Sequence, residues 1–166
     1  MKILETNRLY LRRITIEDAE NIYLLNLDPE VIQYTGDDAF DSVASAQHFV
    51  THYDHYNKYD FGRWAVIGKN NHTFLGWCGL KYTPETDEYD IGFRFLKKYW
   101  NQGYATEAAL ACIALGFEKY KMPRIIGRAR KDNASSIKVL EKIGMSYLEA
   151  YDFDGKEGVL YQILKP

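Results

Sequence analysis

The sequence predicts one domain, residues 1–166, in which helices flank a central, mostly antiparallel sheet in three layers. The length fits a single domain with a sizeable core. Strand and helix patterns follow one another in the order β-α-α-β-β-β-α-β-α-β-β, which is typical of a mixed α/β fold. A strand at 89–96, an apolar helix at 105–117 and a strand at 124–130 form a βαβ unit, so those two strands should pair in parallel.

The amino-terminal part is predicted to hold one strand and two helices. Residues 5–13 alternate between apolar and polar side chains, as a half-buried strand does. Thr15 is placed to cap a helix that begins at Ile16. Ser42 is placed to cap a second helix, which should run to about Tyr59.

This second helix is rich in histidine and tyrosine. His48 and His52 are four residues apart and therefore share a helix face. A zinc site is one interpretation, but the segment lacks both a cysteine and the glutamate of a His-Glu-x-x-His motif. We therefore expect a half-exposed aromatic helix and no metal.

Two strands, residues 63–67 and 73–80, are predicted on either side of a polar turn. Gly76 and Gly79 weaken the second strand unless another part of the chain packs closely against it. The acidic stretch at 84–88 is expected to be a solvated turn.

The carboxy-terminal part is predicted to contain a strand, a short helix and a hairpin. Residues 124–130 form the strand, and the spacing of Ile137, Leu140 and Ile143 indicates a helix with one inward face. Gly144 is placed to end that helix. Two alternating segments, 147–153 and 159–164, surround an Asp-Gly pair that is typical of a hairpin turn.

The central segment indicates an anion site. A strand-like run at 89–96 leads into the polar turn 97–104, and the apolar helix 105–117 follows. Such a turn presents unpaired backbone N–H groups and the positive end of the helix dipole, which suit a phosphate or a diphosphate. Gly103 allows the ligand to approach the backbone closely, although a glycine in such a turn also serves purely steric needs.

Composition excludes several classes of protein. The formal net charge of -2 gives no nucleic-acid footprint, and no apolar run approaches the roughly 20 residues of a membrane span. Charged residues interrupt the start, so we expect no signal peptide. Cys78 and Cys112 lie in apolar segments and are expected to be reduced core residues of a cytoplasmic protein.

Three segments resemble the GNAT acetyltransferase superfamily. Residues 100–108 (Trp-Asn-Gln-Gly-Tyr-Ala-Thr-Glu-Ala) are similar to its acetyl-CoA pyrophosphate loop, Gln/Arg-x-x-Gly-x-Gly/Ala. Trp100 replaces the usual Gln or Arg, as in the branch that acetylates ribosomal-protein N-termini. Residues 6–12 resemble the first strand of that branch, and residues 132–145 resemble the second conserved GNAT block, with Met145 in place of Phe.

The resemblance implies the acyl-CoA N-acyltransferase fold, with acetyl-CoA as co-substrate in a gap between two splayed strands, here 89–96 and 124–130. It implies that the helix at 42–59 covers the acceptor site, so that its His and Tyr residues contact substrate. The residues that it assigns to the cofactor are Phe93, Arg94, Phe95, Gln102, Gly103, Tyr104, Ala105, Thr106 and Asn133.

The resemblance also suggests catalytic residues. Many GNAT enzymes protonate the leaving thiolate with a tyrosine, but Leu140 stands at that position here. The ribosomal-protein branch uses a serine that matches Ser136, which we nominate as general acid; a helix-capping serine is the alternative. Asp90 is nominated as a base acting through water, with a simple ion pair as its alternative, and Glu107 is interpreted as structural because a carboxylate is favoured in a first helical turn.

Three functions stay open at this stage. The first, which the resemblance favours, is acetylation of a protein N-terminus, especially that of a ribosomal protein. The alternative is acetylation of a small amine such as a polyamine, an amino acid or an aminoglycoside. The third is a CoA-binding module without catalysis. We expect a monomer or a homodimer. Acids that could attract a cationic amine are Asp37, Asp38, Asp41, Asp54 and Asp60.

Overall fold

Eight strands form one sheet in the computed structural model, which describes all residues 1–166. The spatial order is β1-β2-β3-β4-β5-β6-β8-β7, and only the β5–β6 pair is parallel. The strands are β1 (Lys2–Glu5), β2 (Leu9–Arg13), β3 (Arg63–Gly68), β4 (Phe74–Thr83), β5 (Glu88–Phe95), β6 (Arg124–Arg130), β7 (Ser146–Phe153) and β8 (Lys156–Leu164).

Helices cover both faces of the sheet and create two separate cores. One core contains Ala108 and Cys112 together with sheet residues such as Trp64, and the other contains Ile22 and Leu25. None of the helices has the length and apolarity that a bilayer crossing requires. The helices are α1 (Ala19–Leu27), α2 (Pro29–Ile32), α3 (Val43–Thr51), α4 (His55–Tyr59), α5 (Tyr104–Glu118) and α6 (Ala134–Lys142).

The predicted parallel pair is present, and it is splayed. β5 and β6 are in register only at Asp90 and Ile126, whereas β4 pairs with β5 along its whole length, from Gly76–Phe95 to Thr83–Glu88. Because successive strand residues point their N–H and C=O groups to alternate sides, the groups of residues 92–95 that point away from β4 have no partner strand on the β6 side. The gap expected between these two strands is therefore confirmed.

Two sequence-based boundaries are wrong. Residues 5–13 are not one strand but the end of β1, a turn and β2. The turn is closed by a hydrogen bond from the Thr6 N–H to the Leu9 C=O, 2.8 Å, and the Thr6 hydroxyl is bound by Glu107 of α5, a contact that no local pattern reveals.

The helix predicted for 42–59 is broken into α3 and α4. Ser42 caps α3 as predicted, because its Oγ accepts a hydrogen bond from the Ser45 N–H at 3.1 Å. The chain leaves the helix near Tyr53, whose hydroxyl accepts from the Arg63 N–H at 2.8 Å, while the Tyr56 hydroxyl donates to the Arg63 C=O. The helix is therefore interrupted where Tyr53 and Tyr56 bind the backbone at the start of β3.

Close backbone packing explains a glycine within β4. A Cβ on Gly79 would lie 2.1 Å from the Gly62 carbonyl oxygen, so no other residue fits there without a shift of the backbone. The neighbouring Cys78 is buried and free, and its Sγ lies 3.8 Å from that of Cys112.

Candidate active site

The anion site predicted from the sequence falls at the amino terminus of α5. Gly103 has φ +79°, a left-handed conformation that glycine adopts without strain. The first hydrogen bond of the helix runs from the Glu107 N–H to the Gly103 C=O at 3.0 Å, so the N–H groups of residues 104–106 have no partner within the protein. These three donors and the helix dipole point toward the same cleft.

Glu107 fixes the start of α5 to the turn between β1 and β2. Its carboxylate accepts hydrogen bonds from the Thr6 hydroxyl at 2.7 Å, from the Arg8 N–H at 2.8 Å and from the Arg8 Nε at 2.7 Å. Burial by itself would raise the pKa of Glu107, but these hydrogen bonds outweigh it and lower that pKa. Its predicted structural role is thereby given a definite partner.

Arg8 and Trp100 hold the loop that precedes α5. Arg8 donates from Nη1 to the Gln102 C=O at 2.9 Å, and its guanidinium lies 4.3 Å from the centre of the Tyr104 ring. The Trp100 indole donates to the Phe95 C=O at 2.8 Å, which ties the loop to the end of β5. The Trp that departs from the superfamily pattern therefore has a structural task here.

The cleft around this loop has a volume of about 820 Å³ and extends from α2 to α6. Lys138 and Lys142 line it without an ion pair, so the charge of this part suits phosphate groups, whereas Lys97 pairs with Glu30 in the same lining. The predicted site residues that line it are Phe93, Arg94, Phe95, Gly103, Tyr104, Ala105, Thr106, Asn133 and Ser136.

Two predicted site residues lie outside the lining of this cleft. The Gln102 side chain donates to the Lys98 C=O at 3.0 Å. Asp90 forms an ion pair with Arg63 at 2.5 Å, which is the alternative we set against its role as a base. Burial opposes the charge of Arg63, but the attraction and hydrogen bond of Asp90 outweigh it and raise the pKa of the guanidinium.

Ser136 sits in the first turn of α6, facing the cleft. Its N–H donates to the Asn133 Oδ1 at 3.3 Å, and its Oγ accepts from the Asn133 Nδ2 at 3.0 Å. Because the hydroxyl oxygen already accepts this bond, its own proton is free to be donated into the cleft. Leu140, one turn further, is buried in the core and offers no proton.

A second cavity, which we call the acceptor pocket, lies on the face of the sheet that α1 and α3 cover. Its volume is about 300 Å³, and it is enclosed by α1, α3, the segment 37–40 and strands β3 to β5. It is lined by Ile14, Ile22, Asn26, Asp37, Asp38, Phe40, Phe49, Val50, Tyr53, Arg63, Trp77 and Arg94.

Arg94 is the residue that lines both cavities. Its side chain is 10% exposed and donates to the Asn26 Oδ1 at 2.8 Å and to the Asp37 Oδ2 at 2.7 Å. The centre of the Trp77 ring lies 5.3 Å from the Arg94 Cζ and 5.5 Å from the Arg63 Cζ. The two cavities therefore meet at one buried cation on β5.

Of the five acids that could attract an amine, two line the acceptor pocket, Asp37 and Asp38. Asp54 forms an ion pair with Lys58, and Asp60 pairs with Arg13 and Lys119, away from the pocket. Asp41 is exposed and does not line it.

The His-rich segment contributes to the pocket through other residues than its histidines. Phe49, Val50 and Tyr53 line it, whereas His48, His52 and His55 do not. Patterns in the sequence missed Trp77, Asn26 and Phe40, since these come together only when α1 and the loop after α2 fold over the sheet. Lys138 and Lys142 did carry a signal, because their spacing of four places both on one face of a helix.

Curated relatives carry similar sequences. YkkB of Bacillus subtilis, whose function is uncharacterised, is 32% identical over 150 residues, covering 87% of this chain and 85% of its own. The FsC-acetyl coenzyme A-N(2)-transacetylase of Aspergillus fumigatus is 29% identical over 163 residues, covering 89% of this chain and 66% of its own.

Solved structures share the fold over almost the whole chain. The GNAT-family acetyltransferase of Bacillus anthracis is 29% identical, with a TM-score of 0.83 and 98% of both chains covered. The ribosomal-protein-S5-alanine acetyltransferase of Vibrio fischeri is 18% identical, with a TM-score of 0.82 and coverage of 98% and 96%. The family described as "Acetyltransferase (GNAT) domain" matches residues 8–146. The chain therefore belongs to the GNAT acetyltransferases and is an N-acetyltransferase.

Proposed function

We propose that this enzyme moves the acetyl group of acetyl-CoA to the primary amine of a small molecule. The observation that carries the proposal is the meeting of two cavities at Arg94, one with free helix N–H groups and lysines, the other small and mostly apolar. At about 300 Å³ the acceptor pocket is at the lower end of small-molecule sites, and several residues of a peptide would extend beyond it.

Acetyl-CoA fits the larger cleft on the chemistry of its lining. The N–H groups of residues 104–106 would hold the diphosphate, and Lys138 and Lys142 are placed for the remaining phosphate charge. The backbone groups of residues 93–95 that point toward β6, apart from the Phe95 C=O bound by Trp100, would hold the acetyl and pantetheine groups in the gap between β5 and β6. Asn133 would contact the pantetheine arm and also orient Ser136.

Ser136 would protonate the departing thiolate. Its free proton and its place in the cleft lining support this role, and a donated hydrogen bond would stabilise sulfur as the thioester bond breaks. Asp90 would contribute indirectly. Its carboxylate is engaged in the ion pair with Arg63 and so holds that side chain in the wall of the acceptor pocket.

A protein N-terminus is the second candidate acceptor. It is supported by the likeness of residues 100–108 to the ribosomal-protein branch and by the shared fold of the Vibrio fischeri enzyme. The relative from Aspergillus fumigatus, named for N(2)-transacetylation, supports the small-molecule candidate.

A thiol-release assay separates the candidates. Purified enzyme with acetyl-CoA is given small primary amines, free amino acids and peptides with free N-termini, and CoA release is followed with a thiol reagent. The proposal expects the highest kcat/KM for a small amine. Turnover confined to peptides would refute it in favour of the N-terminal candidate, and acetyl-CoA binding without any turnover would support the non-catalytic module.

A further inference from the structure

Arg94 is a nearly buried cation in the lining of a mostly apolar pocket. Its side chain is nine-tenths buried, and its Nε is fully buried without a hydrogen-bond partner. The only negative charge on the guanidinium is Asp37, since the Asn26 partner is neutral. A buried cation needs an anion, because leaving it unpaired in the protein interior is strongly destabilising.

Asp37, the anion that pairs with Arg94, is weakly fixed by the surrounding structure. Asp37 lies in a segment without helix or strand, and its side chain is 57% exposed. An ion pair with so exposed a partner typically contributes little to stability. A ligand carboxylate could thus replace Asp37 at Arg94 at little cost, and Arg94 would remain paired throughout.

We infer that the acceptor is a free α-amino acid with an apolar side chain, which deepens the proposed small-amine function and rests on it. The carboxylate of the amino acid pairs with Arg94 in place of Asp37. Because Arg94 borders the acetyl-CoA cleft, an amino group one carbon from that carboxylate lies at the boundary between the two cavities. Its side chain then packs among four aromatic residues, Phe40, Phe49, Tyr53 and Trp77.

The remaining charges of the pocket agree with a zwitterion. Asp38 lines the same cavity and forms no ion pair, so it offers a partner to the incoming ammonium before the proton is lost. Polyamines fit poorly, since they carry no carboxylate that could pair with Arg94 in place of Asp37. A peptide N-terminus fits poorly as well, because the carbonyl next to its amine is a neutral amide.

Matched substrate pairs test the inference in the wild-type enzyme. The thiol-release assay compares L-phenylalanine with phenethylamine and L-leucine with isoamylamine, which differ only in the carboxylate, and includes the dipeptide Phe-Gly. A charge-assisted hydrogen bond contributes roughly ten- to a hundredfold in affinity, so we expect kcat/KM for each amino acid to exceed that of its decarboxylated partner by about that factor.

Three variants assign the preference to residues. Arg94→Gln should bring the ratio within each pair close to one, chiefly through a higher KM for the amino acid. Asp37→Asn removes the competing carboxylate and should lower that KM severalfold. Asp41→Asn, an exposed acid of the same loop that lines neither cavity, is the matched control and should leave both parameters unchanged.

The outcomes distinguish this inference from the function on which it rests. Amines turned over as well as, or better than, the corresponding amino acids would overturn the inference while the small-amine function stands. Turnover of Phe-Gly and longer peptides alone would overturn both. If Arg94→Gln does not fold, the inference is still tested by the wild-type kcat/KM ratios and by the change of KM in Asp37→Asn. A raised KM in Asp37→Asn contradicts the displacement of Asp37 by substrate.

Discussion

The contact of Glu107 with Arg8 and Thr6 should couple the stability of the fold to acetyl-CoA binding. Glu107 is 18% exposed and accepts three hydrogen bonds, one of them from the Arg8 guanidinium. In Glu107→Gln one oxygen keeps its two donors, whereas the new amide N–H₂ faces the Arg8 Nε. The variant therefore loses one charge-assisted hydrogen bond, worth about 1.5 to 3 kcal/mol, of which partial exposure leaves about 1 to 2.

That loss is measurable by melting and by titration. For a domain of this size about 1 to 2 kcal/mol corresponds to a fall in Tm of roughly 2 to 8 °C. Arg8 also holds the Gln102 C=O and the Tyr104 ring, so acetyl-CoA affinity should fall as the loop loses its support. Glu118→Gln is the matched control, because Glu118 ends the same helix, is exposed and forms no ion pair.

The pH dependence gives an independent check. The folded state lowers the pKa of Glu107, so the stabilisation is present above its unfolded pKa of about 4.5 and is lost as pH falls through the lower folded value. Glu107→Gln should show a shallower loss of stability than wild type between about pH 5 and pH 3. A wild-type Tm, acetyl-CoA affinity and acid profile in Glu107→Gln would refute the coupling.

Four further predictions follow from the same structure. Gly103→Val should weaken acetyl-CoA binding, since a β-branched residue at φ +79° is strained and its side chain would stand where the ligand approaches; titration of the folded variant that gives wild-type affinity contradicts this. Ser136→Ala should lower kcat on the order of 100-fold while acetyl-CoA affinity stays near normal, and an unchanged kcat would refute the assignment of Ser136 as the general acid. Acetyl-CoA at 100 times its Kd should stabilise the fold by about 2.7 kcal/mol, and thermal traces that do not move at millimolar ligand would disprove the site. Burial and the charge of Arg63 lower the pKa of His55, whose Nε2 accepts a hydrogen bond from the Tyr82 N–H at 3.0 Å. The stability of the wild-type protein should therefore fall as pH drops below about 6.5. His55→Asn should not show this loss, and the control His52→Asn should show it as wild type does.

Local features of the chain were predictable from the sequence. The strand at 124–130 is found with the predicted bounds. The strand, the turn with Gly103 and the apolar helix from which the anion site was predicted also follow one another as expected. Both depend on backbone geometry within a few residues, which periodicity and glycine position report directly.

Features that depend on distant residues were not predictable. Arg8 and Glu107 are 99 residues apart, and Arg94 and Asp37 are 57 apart. Each of these residues, taken alone, is an ordinary polar position on a strand, a helix or a loop. The break of the helix at 52–54 also depends on a distant contact. The hydroxyls of Tyr53 and Tyr56 bind the backbone of Arg63 in β3, and the local sequence gives no sign of that contact.

The splay between β5 and β6 places an open edge in the interior of the sheet. Most sheets have such edges only at their margins, where unpaired N–H and C=O groups invite another extended chain. Here the edge at residues 92–95 lies between two strands of the same sheet, and an elongated amide-bearing ligand can complete it as an added strand would. Amide hydrogens of this edge that point toward β6 should therefore exchange quickly in the free protein and become protected once the ligand is bound, whereas those that bond to β4 should be protected in both states.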